Sequence, residues 1–241
     1  MRQDLNISLT SKDLAYDRIS EEWEGFISRY DTDRRGEVLI DNFLGEKAIS
    51  GKTCLDAGCG LGYFSQAILK YQPAALYACD LSPKLVNRLA QRLPEVHGFV
   101  GNILELPAAV SGKKFDVVVC SDVIEHTPDP RLATQKLTEV VLPGGFLSIS
   151  VPNKRWRWLL GLAMALRLRK RYEGHENYVH PDDLKDWVEE GGMEILQAEG
   201  IHTIPFKLLP KRWLRILDQR LRRFNYPYAL NLAILARKKM I

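Results

Sequence analysis

The sequence of 241 residues contains no long uninterrupted apolar run and little cysteine. Because it has neither the apolar core of a signal peptide nor a segment long enough to span a membrane, we expect a cytoplasmic protein. The four cysteines form no close CxxC pair, so they predict buried, reduced thiols and exclude a disulfide scaffold. With 46% hydrophobic and 27% charged residues, the composition also excludes wholesale disorder.

The length matches one large α/β domain, and we expect residues 1–241 to form it. Its predicted parts are a helical lead-in over 1–50, a ligand-binding core over 51–153, and helical lid insertions over 154–180 and 203–228. The lead-in carries apolar side chains that we expect to cover the core. These are Trp23, Phe26, Ile27, Tyr30, Val38, Leu39 and Phe43.

From Thr53 onward, short apolar runs alternate with helical patterns, which predicts a parallel sheet covered on both faces. The predicted helices are Tyr63–Tyr71, Ser82–Leu93, Arg131–Val140 and Pro181–Glu190, with a turn at Pro143-Gly144-Gly145 after the third. The strand runs are TCLDA, ALYACD, VHGFVG, FDVVVCS and FLSISV, followed by a strand near Met193–Ala198 and the last run, NLAILARK.

The strongest chemical signal is the segment LDAGCGLG at positions 55–62, where the first strand turns into a helix. Glycines there allow a tight turn and a close approach of a ligand to the backbone. A dinucleotide fingerprint would need a third glycine where Tyr63 stands, and Asp56 would repel a pyrophosphate but attract an ammonium group. Asp80 ends the next strand, where a carboxylate can bond ribose hydroxyls. These residues predict a site for a nucleoside with a cationic tail.

These motifs resemble those of class I S-adenosylmethionine-dependent methyltransferases, in particular the branch that includes quinone-biosynthesis methyltransferases. The glycine loop matches the first motif of that family, and Asp80 the acidic second motif. The segment from Gly101 to Pro107 matches the third motif, FDVVVCSDVIEH at 115–126 the fourth, and LPGG at 142–145 the turn before the fifth strand. The resemblance covers roughly residues 30–198. It implies an α/β fold, a Rossmann-like doubly wound sheet of seven strands with the last strand antiparallel.

The resemblance implies S-adenosylmethionine as the cofactor and places it along the carboxyl ends of the first strands. Asn102 departs from the aspartate of many members, so its contact with the adenine would lack charge. Arg35 either pairs with the donor carboxylate or is a solvated surface arginine. The expected donor contacts are Asp56, Gly58 and Gly60 at the methionine part, Asp80 at the ribose and Asn102 and Ile103 at the adenine, with Cys59, Gly62, Leu81, Ser121 and Arg35 around them.

The acceptor side is expected at the end of the fourth strand. His126 is the candidate general base for a hydroxyl acceptor, with Glu125 beside it, because an imidazole titrates near working pH. The alternative for His126 is a cap of the next helix. A second hypothesis joins Asp122, Glu125, His126 and His175 as ligands of Mg²⁺ or a related ion, which resembles metal-assisted O-methyltransferases including a small-RNA 2′-hydroxyl branch.

Positive charge is concentrated in two stretches, Lys154–Arg171 and Lys207–Arg223, which hold 14 of the 34 Lys and Arg but one acid, Asp218. Apolar residues recur among these cations with tryptophan at the margin, a pattern typical of interfacial helices. One hypothesis is therefore a lid that also docks on an anionic membrane and admits a lipid-like acceptor. The alternative is a lid that packs on the domain with its cations solvated.

The sequence leaves several functions open. The first hypothesis is transfer of a methyl group to a small or lipid-like acceptor, at oxygen, with N- or C-methylation of a natural product as alternatives. The second is an RNA methyltransferase that uses the basic stretches to bind phosphates, a partner class we disfavour. A non-catalytic donor-binding subunit is disfavoured because Glu125 and His126 are present.

Overall fold

The computed structural model describes residues 28–106, 110, 112–158, 176–203, 210–222 and 224–240. Seven strands form one sheet in the order β3-β2-β1-β4-β5-β7-β6, and β7 is antiparallel to both of its neighbours. The predicted Rossmann-like α/β sheet with an antiparallel last strand is thus confirmed. The strands are β1 Thr53–Ala57, β2 Ala75–Asp80, β3 His97–Val100, β4 Phe115–Ser121, β5 Val141–Pro152, β6 Met193–Ile201 and β7 Asn231–Lys238.

Three of the helices begin with proline, and in each a preceding side chain caps the first turn. Ser82 Oγ accepts from Leu85 N at 3.3 Å, and Asp129 Oδ1 accepts from Leu132 N at 3.0 Å. The helices in the described residues are α1 Arg29–Gly36, α2 Gly45–Ile49, α3 Tyr63–Leu69, α4 Pro83–Arg92, α5 Pro130–Glu139, α6 Pro181–Glu190 and α7 Lys211–Leu221, with a π-helical segment Glu37–Asn42 following α1.

The parallel strands are buried on both faces, as their apolar runs predict. In β4, Val118 and Cys120 belong to one apolar cluster, whereas Val117 and Val119 belong to the other. All four cysteines are free and buried, and burial raises the pKa of the Cys79 thiol to about 12. These thiols are therefore protonated and unreactive at neutral pH.

The lead-in covers one face of the sheet with the π-helical segment and the residues that follow it, which join the cluster of β1 and α3. The predicted covering residues Trp23, Phe26 and Ile27 lie outside the described residues, as do most of the first lid insertion and His175. Among the helices that the structure describes, none has the length and apolar character needed to cross a membrane.

The turn predicted at Pro143–Gly145 is wrong, because these residues lie inside β5. Phe115 pairs with Val141 and Val117 pairs with Phe146, so four residues of β5 bulge opposite a single residue of β4. A β-carbon on Gly145 would lie 2.7 Å from the Asp116 carbonyl oxygen, which explains why glycine stands there. The turn residues thus act as a bulge within a longer strand.

Substitution of two glycines separates backbone strain from steric overlap. Gly51 and Gly62 have φ of +68° and +78°, but a β-carbon on Gly51 meets nothing within 4 Å, whereas one on Gly62 lies 2.3 Å from Leu89 Cδ1. Gly51→Ala should therefore cost about 1–2 kcal/mol of unfolding free energy from left-handed backbone alone. Gly62→Ala should cost about 1–3 kcal/mol more from overpacking against buried Leu89. Urea unfolding measures both, and equal losses would contradict the overlap.

Candidate active site

The glycine loop between β1 and α3 is held against the end of β2. Gly58, Gly60 and Gly62 have φ of +76°, +51° and +78°, the left-handed region that favours glycine. The backbone N–H groups of Gly58 and Cys59 both donate to the Cys79 carbonyl, at 2.8 and 2.9 Å. The loop therefore has a fixed shape before any ligand binds.

The loop also touches the turn that follows β4. A β-carbon on Gly58 would lie 2.3 Å from Val123 Cγ2, so only glycine fits there. Gly58 follows β1 and Val123 follows β4, the two central strands at which the crossover direction of the sheet reverses. A crevice at the carboxyl ends of such strands is the usual ligand site in open α/β sheets.

Asp80 braces the far side of the loop. Its Oδ2 accepts from the Gly60 N–H at 2.9 Å and its Oδ1 accepts from the Ser82 N–H at 2.9 Å. Each carboxylate oxygen can accept more than one hydrogen bond, so both can still receive hydroxyl donors from a ribose. The geometry fits the role predicted for Asp80, which remains a prediction.

Asp56 lies beneath the loop, with a side chain that is 2% exposed. Its Oδ2 accepts from Ser65 Oγ at 2.5 Å. Burial raises the pKa of Asp56 to about 6, although the hydrogen bonds from Ser65 oppose the rise. In this position Asp56 is tied to α3 through Ser65 and does not line the cleft, so any attraction to the donor ammonium would act through the loop.

A cleft with about 600 Å³ of empty space, partly open to solvent, brings the predicted donor and acceptor residues together. Asn102 lies in its wall, and the Asn102 side-chain oxygen already accepts from the Leu104 N–H at 3.0 Å. The cleft is lined by Gly58, Asp80, Leu81, Gly101, Asn102, Ile103, Asp122, Val123, His126 and Thr127. Gly101, Val123 and Thr127 were not among the predicted site residues, although each adjoins one that was.

Other predicted site residues stand behind this lining. Arg35 is 11% exposed, its Nη1 donates to Ser121 Oγ at 3.2 Å, and the same nitrogen lies 3.0 Å from Asp122 Oδ2. The alternative of a solvated surface arginine is therefore wrong. The lining does not include Asp56, Cys59, Gly60, Gly62, Ser121, Arg35 or Glu125.

Glu125 and His126 lie in a short 3₁₀ turn, Ile124–His126, directly after β4. Glu125 is 2% exposed, and burial, followed by the charge of Asp122, raises the pKa of its carboxyl well above the usual value. His126 is partly exposed in the cleft wall, with its Nε2 3.6 Å from Glu125 Oε1. A neutral carboxylic acid thus lies behind an imidazole that faces the cleft.

Asp122, one of the predicted metal ligands, already contacts other protein groups. Both Asp122 oxygens are already used: Oδ1 accepts from Ser150 Oγ at 2.7 Å, and Oδ2 accepts from Asn231 Nδ2 at 2.9 Å and lies against Arg35. Within the described part of the chain, no group of three His, Cys, Asp or Glu side chains could hold an ion, and His175 lies outside it. A cation there would have to displace Arg35, so removal of divalent ions by a chelator and readdition of Mg²⁺ is the deciding measurement.

Comparison with known proteins agrees with this site. A family model described as a methyltransferase domain matches residues 30–198. The chain belongs to the class I S-adenosylmethionine-dependent methyltransferases. The ubiquinone biosynthesis O-methyltransferase of Cronobacter sakazakii is 29% identical to this methyltransferase over 209 residues, covering 81% of this chain and 86% of that enzyme. The Coxiella burnetii enzyme of the same name is 29% identical over 168 residues, 66% of this chain and 70% of its own.

The methyltransferase fold is also shared with solved structures. The N-methyltransferase NodS from Bradyrhizobium japonicum, solved in complex with S-adenosyl-L-homocysteine, superposes with a TM-score of 0.64 at 16% identity, covering 93% of this chain and 98% of that one. This likeness shows the fold, whereas the family match and the named relatives show that the chain is an enzyme whose methyl donor is S-adenosylmethionine.

The buried Glu125 carboxyl should leave a signature in the pH dependence of stability. Because its pKa is higher in the folded methyltransferase than in the unfolded chain, its contribution is full below about pH 4.3 and is lost as pH rises through the folded value. Glu125→Gln should therefore flatten the fall in unfolding free energy above about pH 4.3, by about 1.4 kcal/mol for each pH unit over which the proton is held. Urea unfolding at several pH values measures this.

The matched control is Glu139→Gln, which changes a glutamate that is 58% exposed on α5. It should leave the pH dependence of stability as in the wild type. The same slope in Glu125→Gln and wild type would show that Glu125 is ionised in the folded protein.

Proposed function

We propose that this methyltransferase transfers the methyl group to a hydroxyl oxygen of a small or lipid-like acceptor, such as a quinone precursor with an isoprenoid tail. The observation that carries the proposal is the single cleft in which Gly58 and Asp80 share a wall with Asp122 and His126. Relatives at 29% identity carry the name ubiquinone biosynthesis O-methyltransferase, which supports oxygen as the accepting atom.

In this proposal the donor side of the cleft holds and orients S-adenosylmethionine. Asp80 accepts hydrogen bonds from the ribose hydroxyls, and the Asn102–Ile103 segment lies against the adenine. Gly58 lines the cleft beside the methionine part, and Ser121 stands behind the lining next to Asp122. The sulfonium of the donor supplies an already activated methyl group, so placing the acceptor in line can lower the barrier by about 7–11 kcal/mol.

His126 takes the proton of the acceptor in the proposed reaction. As the hydroxyl oxygen forms its bond to the methyl carbon and the carbon–sulfur bond breaks, the oxygen loses its proton to the His126 imidazole. The products are a methyl ether and S-adenosylhomocysteine, and His126, which is 23% exposed, returns its proton to solvent. Glu125 is buried behind the ring, with its Oε1 3.6 Å from His126 Nε2.

We further propose that the lipid-like acceptor reaches the cleft from an anionic membrane. The docking surface, which we name the aromatic-basic face, consists of Arg155, Trp158, Trp213, Phe224 and Tyr228. Phe224 and Trp158 are 83% and 65% exposed, an unusual exposure for such large apolar side chains. Tryptophan and tyrosine favour the headgroup region of a bilayer, and nearby cations bind anionic lipids.

The position of this face supports the proposal. Arg155 and Trp158 follow β5 and Tyr228 precedes β7, and these strand ends lie at the edge of the sheet where the cleft opens. The two segments are joined, because Trp156 Nε1 donates to the Tyr228 carbonyl at 2.8 Å and the Arg155 guanidinium lies 5.3 Å from the Tyr228 ring centre. A membrane bound there would lie beside the cleft mouth.

Two substitutions should separate turnover from donor binding. His126→Ala should lower kcat by about 10²–10⁴ while leaving the donor Kd unchanged, since it removes the proton acceptor. Asp80→Ala should instead weaken donor binding by roughly 1.5–3 kcal/mol and leave kcat at saturating donor unchanged, because it removes a charged hydrogen-bond acceptor from the donor side. Steady-state kinetics and calorimetry with S-adenosylhomocysteine measure the two effects. A tenfold or smaller loss of kcat in His126→Ala would return His126 to a structural role.

Membrane docking predicts sedimentation with anionic vesicles but not with neutral ones. Each cation near an anionic surface contributes about 1 kcal/mol. Arg212 lies beside the aromatic-basic face, with its guanidinium 5.9 Å from the Trp213 ring centre. The double variant Arg155→Glu with Arg212→Glu should therefore sediment much less. Arg131→Glu is the matched control, because Arg131 is exposed on α5 and pairs with Glu190. Equal and negligible sedimentation of the wild type with both vesicle types at low salt would exclude the membrane and leave a soluble acceptor.

A further inference from the structure

A series of buried and half-buried polar side chains, which we name the charged series, leads from Asp122 in the cleft wall through Arg35 and Asp31 of α1 to His202 at the end of β6. Arg35 lies between two carboxylates: its Nη1 is 3.0 Å from Asp122 Oδ2, and its Nη2 donates to Asp31 Oδ2 at 2.9 Å. On the far side, Asp31 Oδ1 lies 2.7 Å from His202 Nε2. The guanidinium is therefore held by the cleft wall at one end and by an aspartate bound to a histidine at the other.

His202 is enclosed by groups from two helices, and its side chain is 1% exposed. Its Nδ1 lies 3.8 Å from Asp218 Oδ2 on α7, and the Tyr30 ring of α1 lies 5.7 Å from the imidazole centre. Asp218 is itself fixed, because its Oδ1 accepts from the Thr203 N–H at 2.7 Å. The imidazole thus has little room to rotate, and its Nε2 stays opposite Asp31.

Asp31 joins Arg35 to His202 within the charged series. Burial alone would raise the pKa of Asp31, but Arg35 and His202 outweigh burial and lower it. Asp31 is therefore ionised at neutral pH, with one oxygen bound to Arg35 and the other to His202. A carboxylate held at both oxygens has a fixed orientation, whereas one held at a single oxygen can turn about its bond to the β-carbon.

The two end members of the charged series, Asp122 and His202, have strained backbone at a residue other than glycine. Asp122 has φ of +51° and His202 has φ of +58°, and each directly follows a strand end at the cleft edge of the sheet. Such conformations persist only where surrounding contacts hold them, and they are concentrated at functional sites. The backbone is held at both points: Asp122 N–H donates to the Ser150 carbonyl at 2.9 Å, and Leu230 N–H donates to the His202 carbonyl at 3.0 Å.

We propose that His202 is a positioning residue for donor binding, which through Asp31 and Arg35 fixes Asp122 in the cleft wall and Ser121 behind that wall. This inference rests on the proposed donor site, because the Asp122 wall borders the methionine part of the donor. Arg35 reaches both residues, with Nη1 3.0 Å from Asp122 Oδ2 and 3.2 Å from Ser121 Oγ. Without the imidazole, Asp31 turns, Arg35 loses its fixed support and the wall no longer matches the donor.

Loss of His202 should change donor binding and not the transfer step, because Asp122 is the one member of the charged series that lines the cleft. His202→Ala should raise both the donor KM and the Kd for S-adenosylhomocysteine about tenfold, as expected for loss of a hydrogen bond to a charged group. The kcat at saturating donor should stay within about twofold of the wild type. His202→Gln, whose amide N–H can donate to Asp31, should restore most of the donor affinity.

The matched control is the pair His97→Ala and His97→Gln, which change an exposed histidine on β3. Both should bind S-adenosylhomocysteine like the wild type. Unchanged donor affinity in a folded His202→Ala variant would overturn the proposal. A lower kcat with an unchanged donor KM would also overturn the proposal, because a smaller folded fraction produces that pattern. If His202→Ala does not fold, Asp31→Asn should show the same rise in donor KM, and unchanged donor affinity there also overturns the proposal.

Asp80→Ala separates this inference from the donor site on which it rests. If Asp80→Ala weakens donor binding and His202→Ala does not, only the positioning role fails. If neither variant changes donor affinity, the donor site has been placed wrongly, and the positioning role fails with it.

Discussion

Burial of carboxyl groups at the carboxyl edge of the parallel sheet is the constraint that shapes this site. An ionised carboxylate removed from water is stable only if it is paired or hydrogen-bonded, and otherwise it stays protonated. Asp56 takes a hydroxyl partner, and its pKa rises to about 6. Asp122 takes Arg35, Asn231 and Ser150. For Glu125, burial and the neighbouring charge of Asp122 raise the pKa of the carboxyl well above its usual value, which favours the neutral form. The acids at this edge thus avoid an unpaired buried charge in three different ways.

Charge at this edge bears on the ligand of this enzyme. S-adenosylmethionine carries a sulfonium and an ammonium group, and an ionised carboxylate attracts such a cation over short distances, although Asp122 is already paired with Arg35. The glycine loop supplies close contact without charge, and Asp80 is oriented by the backbone N–H groups of Gly60 and Ser82. Shape and charge at this edge therefore favour the donor before the acceptor arrives.

Local patterns predicted the strands well, because a strand buried on both faces needs a continuous apolar run, and β1, β2, β4 and β7 begin and end at the predicted residues. They failed at Pro143–Gly145, where pairing with β4 overrides turn chemistry and yields a bulge. They also could not find the partners of Arg35 and Asp31, since Ser121 is 86 residues from Arg35 and His202 is 171 residues from Asp31. Neither periodicity nor spacing encodes contacts at such separations.

The strand order has a consequence for synthesis of the chain. β7 is last in sequence but lies between β5 and β6, and the start of β7 supplies Asn231 to Asp122. A nascent chain that ends before residue 231 can pair β3, β2, β1, β4 and β5, but β6 has no strand to join. The edge of β5 stays open until the ribosome has released residues 231–238. Completion of the cleft wall therefore waits for β7, so nascent fragments that lack β7 expose an unpaired strand edge and lack the finished site.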